Sequence, residues 1–308
     1  MEHSALSVAL LRQRLVSLLT AMPAAQAGDE TSVHQARVAS RRLREALPVL
    51  GARADENALE RAEKRVRRIT RALGPVRELD VTLLLLAELE GKGTAARRAI
   101  ARVRTAVIEE RQKRRTEMLE EITPSRLDKL RKRLVRVASP NSRAVAVPRN
   151  ALTEASAQAA HRAKALKAAI DRAGGIYLAD RLHRVRIEAK KLRYALEIQR
   201  ELMRSRSTAG LARLKNQQDL LGRVHDLEIL IDRARGVQST LAPRDRIGMA
   251  ELNRLVRVLE DECREGHAAY MRARPSLVKL CDGLIAGAIR LEPRGKARSS
   301  RSWQAGAA

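Results

Sequence analysis

Two stretches of the chain space imidazole and cationic side chains so that they can grip a row of anions. The first, VHQARVASRRLREAL (Val33–Leu47), carries His34, Arg37, Arg41, Arg42 and Arg44. The second, LHRVRIEAKKLRYAL (Leu182–Leu196), carries His183, Arg186, Lys190, Lys191 and Arg193 at the matching positions. Wound as a helix at about 100° per residue with His34 at zero, Arg37, Arg41 and Arg44 fall near 300°, 340° and 280°. That is one stripe within about 80° of arc and roughly 15 Å long. Ala36, Leu43 and Leu47 fall on the opposite side, and Val185, Leu192 and Leu196 take those places in the second copy. Arg42 and Lys191 flank the stripes at the edge of the core, where a long stem packs and its head snorkels.

Like charges three and four residues apart destabilise an isolated helix, and a solvated charge run ordinarily relieves them with acids. Neither stripe holds an acid among its four positions, and the pattern occurs twice. Guanidinium forks match phosphate oxygens bidentately, and lysine adds a point charge. One cation per turn suits a linear, repeating anion better than a single small phosphate. His34 and His183 read either as histidines satisfied by a backbone carbonyl or as extra donors that take up a proton when phosphate binds.

The repeat extends further. LGPVRELDV (Leu73–Val81) follows the first stripe and LGRVHDLEI (Leu221–Ile229) the second, at an offset of 148 to 149 residues. Six of eighteen positions are identical between Val33–Leu50 and Leu182–Gln199. Gly74 and Gly222 are expected to end a helix in a left-handed residue, with Pro75 opening the next one. Glu78, Asp80, Asp226 and Glu228 then fall in or just past a first turn. There they favour the helix dipole or hold basic side chains of the stripe.

The elements that must position these residues are helical throughout. Apolar residues recur at three- and four-residue spacing, and no alternating strand is visible. Twelve helices are expected, six on each side of ASPNSRAVAVP, with breaks at Gly74–Pro75, Gly222 and Pro275. The architecture expected is all-α: two pseudo-symmetric antiparallel helical bundles around a central basic groove. The halves span residues 1–137 and 149–290, joined by a linker at 138–148 and followed by a disordered tail at 291–308.

Composition bounds the partners. In 308 residues, 62 Lys plus Arg face 36 Asp plus Glu, a net charge of +26 with a pI near 11.3. Fifty of the cations are Arg. Such a charge must be paired, spread, or matched by a polyanion. There is no Phe, one Trp (Trp303) and three Tyr, so little is available for stacking bases. Two cysteines, Cys263 and Cys281, point to a reducing compartment. Glu2, Arg12 and Arg14 interrupt the apolar N-terminus, which excludes a secretory signal, and no run is long enough to span a membrane. A cytoplasmic location is expected. Cys263 and His267 stand four apart but have no partner pair for a metal. Nucleotide loops, nucleophile elbows and zinc-protease motifs are absent. The chain reads as a binder and not an enzyme, with no cofactor and no metal.

The four quoted phrases resemble the signatures of the conserved histidine α-helical domain, the CHAD family, over roughly residues 4 to 290. That resemblance implies two helical bundles around a basic groove and binding of inorganic polyphosphate. The implied contacts are His34, Arg37, Arg41, Arg42, Arg44, His183, Arg186, Lys190, Lys191 and Arg193, with Arg67 and Lys215 as weaker additions. The halves differ at the groove ends, where Pro75 and Arg77 stand against Arg223 and His225. No strand of the triphosphate tunnel domain often fused to this family is visible, so a stand-alone copy is expected. The alternative is a sequence-nonspecific nucleic-acid-binding or packaging protein. Attachment to polyphosphate granules is compatible with the first reading, and the oligomeric state is left open.

Overall fold

A computed structural model describes residues 2–51, 54–92, 96–138, 151–204 and 209–291. The described residues form nine helices and no strand: α1 (Glu2–Ala27), α2 (Glu30–Leu50), α3 (Glu56–Gly91), α4 (Arg97–Glu121), α5 (Pro124–Ala138), α6 (Ala151–Ala173), α7 (Ala179–Leu202), α8 (Ala209–Ser239) and α9 (Arg246–Leu291). The expected linker past Ala138 and the expected tail past Leu291 lie outside the described residues.

Local chemistry sets where the stripe helix begins. The Asp29 carboxylate accepts from the Ser32 N–H at 2.7 Å and caps α2. Before it, Gly28 makes the turn at φ +98°, a left-handed conformation in which a side chain is strained. Arg115 of α4 closes the same corner by donating to the Ala27 and Gln26 carbonyls, which α1 itself leaves free. Asp55 caps α3 in the same way, accepting from the Ala58 N–H at 2.8 Å.

Three of the expected helix breaks do not occur. α3 runs through Gly74 and Pro75, α8 through Gly222, and α9 through Pro275. Neither Gly74 nor Gly222 is left-handed; among the described glycines, positive φ belongs to Gly28 and Gly174. Pro75 removes only one helical hydrogen bond, the one to the Arg71 carbonyl. The buried apolar positions continue through the break, from Leu73 to Val76 and Leu79, and their burial outweighs the missing bond.

The packing order repeats along the chain: α1 lies on α2 as α6 lies on α7, α2 on α3 as α7 on α8, and α3 on α4 as α8 on α9. The cores do not divide at the linker. One gathers α1, α2, the first half of α3, the last turns of α4, and α5, and adds Ile198 and Leu202 from α7. The other gathers α6 to α9 and takes in Leu79 to Leu89 of α3 and Ala99 to Val107 of α4. Ion pairs cross in the same sense. Arg162 meets the buried Glu45 at 2.8 Å, Arg14 meets Glu201 at 2.6 Å, and Arg233 meets Glu110 at 2.5 Å.

Candidate functional site

α2 and α7 face one another across a cleft of about 560 Å3, with α3 and α8 along its sides. α2 supplies His34, Arg37 and Arg41, α7 supplies Arg186, Lys190 and Arg193, and α3 and α8 supply Arg77 and Arg223. Seven Arg and Lys residues line the space against three carboxylates, Glu78, Asp219 and Asp226. The two cationic stripes therefore converge on one concavity.

Arg37 is fixed by α3. Its Nη1 donates to the Thr70 carbonyl at 3.1 Å, and a Cβ on Gly74 would stand 3.1 Å from that same nitrogen. The missing side chain lets the guanidinium lie against the helix backbone, and a Cβ there would push the Arg37 head aside by a few tenths of an ångström. Burial pulls the Arg37 guanidinium down to about 10, with Arg41 and Arg186 adding to the effect. The Arg41 guanidinium is likewise lowered first by burial, an effect that the nearby Tyr194 opposes. Lys190 is the extreme case. Burial, then Arg186 and Arg41, push its ammonium down to about 6, while Asp226 pulls weakly the other way. Among the described residues, Arg37, Arg41 and Lys190 have no carboxylate ion partner, and Arg186 has only Asp226, at 3.7 Å. Burial raises Asp226 despite the cations around it.

The histidines separate. His34 lines the cleft, its imidazole lowered by burial and by Arg77, Arg37 and Lys190. His183 stands behind the cleft wall, with its Nδ1 3.1 Å from the Nδ1 of His225, so one ring donates and the other accepts. Burial and then Arg186 push His225 down to about 3 and lower His183 as well, so this pair is neutral at neutral pH.

The flanking cations are already matched. Arg42 pairs with Glu197 at 3.1 Å and lines a neighbouring cleft between α1, α2 and α7. Lys191 pairs with Glu188 at 2.8 Å. Arg44, a stripe residue, turns to Glu45 at 3.6 Å and does not line the cleft. Arg193 lies 3.7 Å from Glu197 and over the Tyr194 ring, yet still lines the cleft. Arg67 pairs with Glu63 at 2.8 Å, and Lys215 is exposed; neither lines it. Of the repeat acids only Asp226 meets a stripe residue. Asp80 binds Arg111 at 2.6 Å, Glu78 binds Arg233 at 3.3 Å, and Glu228 accepts from the Tyr177 hydroxyl. Arg77, Arg223, His225, Tyr194 and Gln218 also line the cleft and were not among the expected contacts. For Arg77, Arg223 and His225 the signal was their place in the second repeat phrase.

Cys263 points its thiol at the Val224 carbonyl and His267 stacks against Tyr177, so the two do not act together. Among the described residues no three His, Cys, Asp or Glu side chains gather as a metal site. Nor is any helix of those residues long and apolar enough to cross a membrane.

The family model described as "CHAD domain" matches residues 9–235. Two solved structures are similar in fold. PptA from Streptomyces chartreusis shares 19% identity and a TM-score of 0.61, over 88% of this chain and 98% of that one. The crystal structure of the CHAD domain from the plant Ricinus communis shares 25% identity and a TM-score of 0.60, over 94% of this chain and 92% of that one. No curated protein matches the chain.

Proposed function

The chain belongs to the CHAD domain family, and from that premise we propose that the cleft between α2 and α7 holds inorganic polyphosphate as a linear polyanion and does no chemistry on it. The observation that carries this reading is the convergence of Arg37, Arg41, Arg186 and Lys190, of which only Arg186 has a carboxylate ion partner, Asp226 at 3.7 Å. Cations held this close, half-buried and unrelieved, lower one another's charge affinity, and a row of phosphoryl oxygens supplies the missing counter-charge. Glu78 and Asp226 are occupied with Arg233 and Arg186, which favours holding over hydrolysis.

Calorimetric titration with long-chain polyphosphate at several salt concentrations tests the site. Affinity is expected to be submicromolar at low salt and to fall steeply as counterion release loses its driving force. Replacing Arg37, Arg41, Arg186 and Lys190 together by Glu is expected to weaken binding by at least about a hundredfold; unchanged binding defeats the assignment. Duplex DNA that displaces the polymer at equal phosphate concentration would favour nucleic-acid packaging instead. The same affinity would gather the protein on polyphosphate granules in the cytoplasm. An even distribution of tagged protein in cells rich in the polymer would count against that.

A further inference from the structure

Outside the cleft, a second set of cations repeats the spacing of the stripes. α5 carries Arg126, Lys129, Arg133 and Arg136, the same i, i+3, i+7, i+10 pattern as His34, Arg37, Arg41 and Arg44, and again without an acid. α5 packs on α3, whose first half presents Arg61, Arg65 and Arg68. The two rows meet. Burial and then the charges of Arg133, Arg68 and Arg126 hold the Arg65 guanidinium below its ordinary range, and no carboxylate opposes them. Arg65 and Arg133 make no ion pair among the described residues, and the buried Nε of Arg65 has no hydrogen-bond partner. One carboxylate, Glu121, serves both Arg68 and Arg126, and Arg126 also donates to the Glu120 and Glu121 carbonyls. Arg65, Arg126 and Arg133 are half-buried along the line where α3 and α5 pack, here called the furrow, while Arg61, Arg68, Lys129 and Arg136 are exposed beside it.

This furrow lies on the far side of α3 from the cleft. Arg77, which lines the cleft, stands roughly 160° to 180° round the helix from Arg61 and Arg68. We propose that the α3–α5 furrow is a second site for linear polyphosphate, so that one molecule holds two strands on opposite faces and bridges them. The identity of the polymer rests on the reading of the cleft; the furrow itself does not. A thin single phosphate chain can reach the half-buried Arg65 and Arg133 between the two helices as well as the exposed cations beside them, whereas the rim of a duplex reaches only the exposed ones. The described aromatic side chains, on α7, on α9 and just before α7, leave nothing in the furrow on which bases could stack.

Titration of the full chain with a short linear polyphosphate is expected to show two sets of sites. Arg65→Gln with Arg133→Gln weakens one set by at least about tenfold, and Arg37→Gln with Lys190→Gln weakens the other. Lys129→Glu with Arg136→Glu, at exposed positions, repeats the furrow test without stressing the fold. Wild-type protein is also expected to turn long-chain polyphosphate turbid, and the furrow variants to do so much less. A single set of sites, lost in the cleft variant, overturns the furrow and leaves the cleft reading intact. Two sets that both survive the furrow variants overturn it as well. One set that survives the cleft variant and is lost in the furrow variants keeps the furrow and refutes the cleft. Duplex DNA that displaces the short polymer from the cleft variant at equal phosphate concentration would make the furrow a nucleic-acid site and overturn the proposal.

Discussion

If the cleft holds polyphosphate as proposed, Lys190 is the side chain whose chemistry changes most. In the empty cleft its ammonium is pushed down to about 6, so at pH 7.5 it is largely neutral. A polyanion stabilises the charged form and raises that value, so binding takes up a proton in the window above pH 6. Affinity is therefore highest below about pH 6 and falls as the pH rises. Calorimetry at pH 7.5 in two buffers of different ionisation heat is expected to show uptake approaching about one proton, sharply reduced in Lys190→Met. Uptake that persists in that variant would move the proton to His34. The same depression carries a stability cost, because the folded value lies below the unfolded one. That cost is fully present below pH 6, shrinks as the pH rises, and vanishes above the unfolded value of 10.5. Lys190→Met should thus raise the urea midpoint more at pH 6 than at pH 10. Gly74 gives a companion test. Gly74→Ala gains up to about 1 kcal/mol of helix propensity but displaces Arg37, so polyphosphate affinity is expected to drop without loss of stability. At Gly222 the nearest stripe atom, Arg186 Nε, is 3.9 Å away, and Gly222→Ala should stabilise without weakening binding. The stripe positions that reach the cleft, His34, Arg37, Arg41, Arg186, Lys190 and Arg193, stood out in the sequence because neither stripe holds an acid and the pattern occurs twice, whereas Arg44 and His183 belong to the same pattern and do not line it. The pairing of Arg42 with Glu197 was not, since that partner sits on another helix 155 positions on and no spacing rule reaches it.

At the scale of elements, the phrase read as a stop signal turned out to be a contact signal. Leu-Gly-Pro ordinarily punctuates helices, and reading it so split α3 at Gly74. What the residues there serve is the approach of Arg37, a tertiary demand that a local rule does not contain. The acid that follows has a similar history. Asp80 reads as a first-turn carboxylate, yet it is fully buried in mid-helix, where it holds Arg111, which in turn reaches the Gly28 carbonyl before α2. Its repeat counterpart Glu228 accepts from Tyr177, just before α7. Each acid ties the start of its stripe helix to the body of the protein, through a different partner. Removing one member of a buried ion pair leaves the other charged and unpaired. Asp80→Ala is expected to cost about 3 kcal/mol in denaturant unfolding. Glu228→Gln keeps an acceptor for the Tyr177 hydroxyl and should cost less than about 1 kcal/mol. Equal costs would mean that the Asp80–Arg111 pair is worth no more than a neutral hydrogen bond.

For the whole molecule, the charge was legible from composition alone, but the interleaving of the two cores was not. Periodicity tells which face of α3 is apolar, not which bundle buries it; Leu79 to Leu89 pack into the core of the later helices. The molecule is therefore expected to unfold as one cooperative unit, and a fragment ending at residue 138 should not fold alone, because that apolar face would lie open. Two electrostatic effects then oppose each other. Ion pairs such as Arg162–Glu45 and Arg233–Glu110 hold the halves together and weaken with salt. The clustered cations of the cleft and furrow, within a net charge of +26, repel one another and are relieved by salt. The bridging pairs are largely shielded from solvent on at least one side, while the repelling groups are many, so relief should win. The melting temperature of the empty protein should rise as salt is added. Under the proposed function, bound polyphosphate would supply the same relief by a specific route. At about 100 times its dissociation constant it should add about 2.7 kcal/mol of stability. Because salt competes for the same phosphate contacts, that increment must shrink as salt rises, even while the empty protein gains. Thermal melts with and without polyphosphate across a salt series would show the two curves converging. If salt instead lowers the melting temperature of the empty protein, the bridging ion pairs outweigh the crowded cations, and the cleft is not the strained, anion-seeking element that its geometry describes.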